Sequence, residues 1–163
     1  MTVLFLLLIS CMQHTNELHW NDLQGAWEQD TEKPLGFVIL HDKHVIVIAY
    51  PKGGRPHNVS GMRFDKIKSI GDEVHCISRT PLAEKRMTWS RSSKDGRELL
   101  HKKFVVEPVD GKGFSTNMTY VKKNTMDYRS IISQILKSKN PKVQDFERQV
   151  LESWMKASLE FDS

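Results

Sequence analysis

The chain has 163 residues, 39% of them hydrophobic, with four Trp, seven Phe and three Tyr. That is enough apolar material for one folded domain with its own core, and it excludes a disordered chain or two full-size domains. The balance of 24 Lys+Arg against 20 Asp+Glu, a net charge of +4, is too weakly basic to point to a nucleic acid, and no nucleic-acid partner is expected.

The first feature in chain order is Val3 to Ile9, an uninterrupted apolar run. It is shorter than the ~20 residues that span a bilayer but has the length of the apolar region of a secretory signal. Leu8-Ile9-Ser10-Cys11 resembles the bacterial lipobox, although Met1-Thr2 lacks the Lys or Arg that normally opens such a signal. The resemblance implies that Cys11 is lipidated, that residues 1–19 are signal and tether, and that the protein sits at the cell envelope on a lipid anchor. Cys76 then has no partner for a disulfide and reads as a small buried hydrophobe in a strand.

Leu18 to Leu23, with Trp20, reads as a helical turn closing one end of a β-domain. Alternating or β-branched runs then predict strands at Ala26–Gln29, Leu35–Leu40, Lys43–Tyr50, Met62–Ile70, Glu73–Arg79, Arg86–Arg91, Leu99–Glu107 and Gly113–Lys122. Turn chemistry separates them: His41-Asp42, Gly71-Asp72, Thr80-Pro81, Lys94-Asp95-Gly96 and Asp110-Gly111. From Lys43 to Lys123 cations outnumber anions about two to one, which reads as the solvated outer positions of these strands. Such a meander is expected to close into an eight-stranded up-and-down antiparallel barrel, because closure removes unpaired edges. Period two predicts inward positions at Met62, Phe64, Val74, Cys76, Met87, Trp89, Phe104, Val106, Phe114, Met118 and Tyr120. In the Lys43–Tyr50 strand both faces are apolar, as expected when one side is covered by a helix.

Gly25 and Trp27, a glycine and a tryptophan two residues apart at the start of the first strand, resemble the Gly-x-Trp signature of lipocalins and the wider calycin group. The resemblance covers 20–123 and implies a barrel with Trp27 plugging its closed end. A basic residue from the last strand, Lys122 or Lys123, would pack across that ring. It further implies a non-enzymatic binding protein whose interior holds a small hydrophobic or amphipathic ligand. Tyr50, Arg55, His57, Met87 and Trp89 are the expected mouth-lining residues, and the Pro51–Pro56 loop is the candidate lid. The alternative is a filled barrel that binds a protein partner through its surface, as an inhibitor or immunity-type protein does.

After Lys123 the apolar period becomes helical. Tyr128, Ile131, Ile132, Ile135 and Leu136 form one stripe, and Val143, Phe146, Val150, Leu151, Trp154 and Met155 form another. Two helices are thus expected in 124–163, packed outside the barrel on the hairpin from Leu35 to Tyr50, with Pro141 as the first residue of the second. No nucleophile elbow, acid pair or Cys pair is present. The seven histidines include His41 and His44 flanking a turn, but nothing fixes a metal-binding geometry; neither metal nor cofactor is expected.

Overall fold

A computed structural model of the chain describes residues 17–53, 55–124, 126–138 and 140–160. Cys11 and the apolar leader lie outside the described residues. The rest is one antiparallel sheet of nine strands and two helices: β1 (Gly25–Gln29), β2 (Gly36–His41), β3 (His44–Ala49), β4 (Asn58–Arg63), β5 (Lys66–Ile70), β6 (Glu73–Thr80), β7 (Ala83–Lys94), β8 (Arg97–Pro108), β9 (Phe114–Lys122), α1 (Met126–Lys137) and α2 (Asp145–Glu160). The spatial order β4-β3-β2-β1-β9-β8-β7-β6-β5 joins the first strand to the last, and the sheet curls into an open half-barrel.

The expected closed barrel of eight strands is corrected on both counts. The segment read as one strand, Met62–Ile70, breaks at Phe64-Asp65 into β4 and β5. At the break the backbone changes partners. Phe64 N–H donates to the Lys43 carbonyl and Asp65 N–H donates to the Ile77 carbonyl, each at 2.8 Å. The Phe64 side chain turns into the interior and meets Trp20 edge-on, with ring centroids 5.5 Å apart. Because every neighbouring pair is antiparallel, nine strands leave the two edges running in the same direction. No antiparallel ladder can join β4 to β5, and the sheet stays open along that seam.

Two cores lie on the two faces of the same wall. On the concave face Leu18, Trp20, Leu23, Trp27, Val38, Leu40, Val45, Phe64, Val74, Met87, Trp89 and Leu100 fill the end where the chain enters. On the convex face Phe37, Ile39, Ile46 and Ile48 are covered by Tyr128, Ile132, Ile135, Val143, Val150, Leu151 and Trp154 of the helical segment. Strand β2 is buried on both sides, so its Phe-Val-Ile-Leu run is continuously apolar. At about 1.5–3 kcal/mol for each large apolar side chain removed from water, these clusters dominate the stability of the fold.

The Trp20–Leu23 turn closes the filled end. Trp20 Nε1 donates to the Asp42 carbonyl, and Leu18 N–H reaches the Gly71 carbonyl at 2.9 Å. Trp27 Nε1 donates to the Leu23 carbonyl at 2.9 Å. Lys122 Nζ stands 4.3 Å from the Trp27 ring centroid and donates to the Gln24 carbonyl at 3.2 Å. Lys123 instead pairs with Glu28, at 3.4 Å. Gly25 makes the approach of Lys122 possible: its φ is +127°, and a Cβ there would lie 3.2 Å from Lys122 Nζ.

Strands β7 and β8 extend beyond Arg86–Arg91 and Leu99–Glu107, to twelve residues each. Their outer ends are polar and carry no hydrophobic alternation. The Asp95-Gly96 turn, with φ of 52° and 71°, has the positive-φ pair of a type I′ hairpin and holds the ladder in register through them. Helix α2 begins at Asp145 rather than at Pro141. Asn140 Oδ1 accepts Lys142 N–H at 3.1 Å and makes a local turn that uses Pro141 first.

Glu147 ties α2 to the sheet edge. Its buried carboxylate accepts Gly61 N–H of β4 at 2.7 Å through one oxygen and Gln144 N–H at 2.9 Å through the other. The second bond is the return half of a capping box, and the first covers an edge-strand donor. Glu147→Ala is expected to cost about 1–3 kcal/mol by leaving the Gly61 donor unsatisfied. Glu147→Gln, which keeps a carbonyl acceptor, should cost less. Urea midpoints of the two variants give the comparison.

Candidate functional site

The concave face changes character along its length. Cross-strand pairing sets Leu100 of β8 beside Tyr120 of β9, then Lys102 beside Met118, Phe104 beside Thr116, and Val106 beside Phe114. On the other side Lys102 faces Trp89, Phe104 faces Met87, and Val106 faces Lys85. The first rows belong to the filled end. The last rows form the open end, where Phe114 is 57% and Met118 36% exposed although both point to the concave side. They were expected inside, and they lack cover because the sheet does not close above them.

Among the described residues eight large apolar side chains are exposed, and six of them (Leu35, Val47, Leu82, Val109, Phe114 and Met118) lie at this open end. The connections carrying Leu35, Leu82 and Val109 follow β1, β6 and β8, so they rim one mouth. Within it an apolar hollow of about 160 Å³ lies between Leu35, Val38, Val47, Met118 and Tyr120.

Lys102 stands behind this hollow, as the cross-strand neighbour of Met118 and over the ring of Tyr120, both of which line it. It is 6% exposed, with Nζ 5.4 Å from the ring centroid of Tyr120, 5.8 Å from Phe104 and 6.0 Å from Trp89. Among the described residues no carboxylate pairs with it, and burial alone pushes its pKa down to about 8. Burial likewise pushes the neighbouring Tyr120 hydroxyl up to about 12. That hydroxyl donates to Met118 Sδ, at 3.1 Å. In the sequence Lys102 sits in His101-Lys102-Lys103, where charge alone does not distinguish one basic residue from the next. The signal was its place in the period-two series Leu100, Lys102, Phe104, Val106.

The five residues expected at the mouth are divided between the two faces. Met87 and Trp89 are buried on the concave side, Trp89 as the cross-strand neighbour of Lys102. Tyr50 is on the helix-covered side, where its hydroxyl donates to Glu28 Oε1 at 2.6 Å and its ring packs against Phe37. Burial, then the bond to Glu28, raises its pKa. Arg55 and His57 line a hollow of about 430 Å³ together with Asn140 and Lys142 of the interhelical connection, so the loop expected to form a lid faces the helices.

A third depression, a cleft of about 620 Å³, follows the open seam between β4, β6 and α2 and is lined by His44, Arg63, Asp65, Arg79, Lys85 and Ser153, among others. Some of its charges are engaged within the protein, whereas among the described residues Arg63 and Lys85 form no ion pair. Arg79 Nε meets Glu84 at 2.6 Å, and Asp65 Oδ2 accepts Arg79 N–H at 2.7 Å. Burial, followed by the Arg63 guanidinium, holds the His44 imidazole below its usual pKa. His41 Nε2 is 2.9 Å from Ser153 Oγ. Among the described residues no group of three His, Cys, Asp or Glu side chains is placed to hold a metal. Cys76 is buried, and its thiol is pushed up to about 12, which leaves it protonated and inert.

No family model, curated protein or solved structure matches the chain. Among the described residues no helix is long and apolar enough to cross a membrane. The arguments for a function are therefore the geometry of the mouth and the signals in the sequence.

Proposed function

We propose that the protein is a non-enzymatic binding protein, lipocalin-like in architecture, that holds a small hydrophobic or amphipathic molecule against the concave face of its half-barrel. The observation that carries this reading is the concentration of exposed apolar side chains at the open mouth, above a floor that is already packed. Exposed apolar surface gathered in one concavity is characteristic of a ligand site, whereas scattered exposure is ordinary. Gly25, Trp27 and Lys122 support the architectural part of the reading through their mutual contact.

Nile red, a neutral apolar probe, tests it on the full chain. One probe per chain is expected, and Met118→Asp, a change at a half-exposed wall position, should weaken binding about tenfold or more, equivalent to at least 1.4 kcal/mol. Native mass spectrometry of protein purified without refolding should also show a stoichiometric small molecule that solvent extracts. A clean apo mass together with no probe binding overturns the reading and transfers the weight to a protein that works through its surface.

The same proposal places the protein at the cell envelope, held by a lipid on Cys11, on the support of Leu8-Ile9-Ser10-Cys11. Incorporation of labelled palmitate in a bacterial host, abolished by Cys11→Ser, is the corresponding test.

A further inference from the structure

We propose that Lys102 is the anchor for an anionic group, so that the mouth selects an amphipathic monoanion with an apolar body and one carboxylate-like head. This deepens the binding reading above and rests on it. Lys102 is buried to 6% exposure, and among the described residues no carboxylate forms an ion pair with it: Glu98, on the same face of β8, pairs with Arg91 at 3.3 Å. The three rings lie within 6.0 Å of Nζ and attract a cation but supply no anion.

A buried charge ordinarily has a counterion, and an unpaired one is a cost the fold gains nothing by keeping. Methionine or leucine at 102 would continue the Leu100, Phe104, Val106 series and pack the same wall. An incoming anion supplies the missing partner in a low-dielectric setting where the attraction is strong. Specificity follows from the same arithmetic, because a neutral ligand of equal length leaves the cation unpaired.

The geometry also bounds the ligand. From Lys102 the strand runs four residues to Val106 and six to Pro108, which at about 3.3 Å per residue puts the rim roughly 13–20 Å from the cation. Along that path the concave wall is mostly apolar, Phe104, Met118, Val106 and Phe114 being interrupted by Thr116 and, near the rim, by Lys85. A head group at Lys102 thus carries an extended apolar body of about that length, with its far end at the exposed rim.

Titration calorimetry on the full chain, using dodecanoate and dodecanol as probes, tests the assignment against Lys102→Met and Lys102→Arg. The wild-type protein should bind dodecanoate at least about tenfold more tightly than dodecanol. Lys102→Met should lose that preference through weaker dodecanoate binding while holding dodecanol as well as before, and Lys102→Arg should retain most of the preference. Equal binding of the two probes by the wild-type protein, or an unchanged preference in Lys102→Met, overturns the anchor and leaves the binding reading standing. Failure of the folded wild-type protein to bind either probe overturns both. Circular dichroism of each variant shows that the comparison is between folded proteins.

Discussion

Lys102→Met is expected to make the ligand-free protein more stable. Burial holds the folded-state pKa of Lys102 at about 8, against an ordinary 10.5. The folded state therefore binds fewer protons than the unfolded chain between those values. Below pH 8 the penalty for a buried cation is present in full, and it is relieved as pH rises toward the unfolded value. At 1.36 kcal/mol per pKa unit the penalty is on the order of 3 kcal/mol. Attraction to the three surrounding rings returns about 0.5–2 kcal/mol, which the methionine variant gives up. A net gain of about 1–3 kcal/mol at pH 7 should appear in urea unfolding.

The stability difference between the two proteins should then shrink as pH rises from 8 to 10. Tyr120, with its pKa pushed up to about 12, acts with the opposite sign, since its protonated form is favoured in the fold and stability falls as it titrates. Because both proteins contain Tyr120, its contribution cancels in the difference. A variant less stable than wild type at pH 7, or a difference that does not change with pH, would show that Lys102 is not held as a buried, uncompensated cation. Stability gained together with anion binding lost is the signature of a residue kept for function.

The second large effect is expected at Trp27. The ring is completely buried; its Nε1 donates to Leu23 and its face carries Lys122. Trp27→Ala should cost about 3–5 kcal/mol, from lost burial and the cavity left behind. Lys122 would in addition lose its ring, and the Leu23 carbonyl its donor. Against a total stability of about 5–15 kcal/mol for a domain, that places the variant near unfolding. Trp27→Phe keeps most of the apolar volume but not the indole bond, and should cost about 1–2 kcal/mol. Urea unfolding of Trp27→Phe supplies a number even if the alanine variant does not accumulate. A cost below 1 kcal/mol for Trp27→Ala would mean that the closed end is not a structural plug.

How much could be read before folding depended on whether the signal was local. Asp95-Gly96 is a hairpin signal because both residues accept positive φ, and the structure turns there. The apolar stripes of α1 and α2 repeat at helical spacing because each helix buries one face. Phe37, Val38, Ile39 and Leu40 are apolar without alternation because cores lie on both sides of β2. Each of these signals is written in residues a few positions apart, even where, as in β2, the groups that cover it come from far along the chain.

The break at Phe64-Asp65 has two faint marks in the sequence, Asp65, of a type depleted in strands, and a slip of the inward alternation from Met62 and Phe64 to Ile67, but neither names the new partner. The change is imposed by two distant carbonyls, those of Lys43 and Ile77. The same holds for the mouth. Tyr50, Arg55 and His57 stand in or beside a loop whose direction depends on the helical segment, and that segment takes them to the convex side.

The amino-acid sequence by itself determined a mainly β chain with two terminal helices, the turn positions and most of the buried side chains, since period, propensity and turn chemistry are properties of adjacent residues. Tertiary structure alone decided that the sheet has nine strands and stays open, because direction and register at an edge depend on partners far along the chain. The alternation that turns Phe104 and Val106 inward turns Lys102 inward with them rather than Lys103, but only the tertiary structure sets Lys102 Nζ among three rings, because Trp89, Phe104 and Tyr120 come from three different strands.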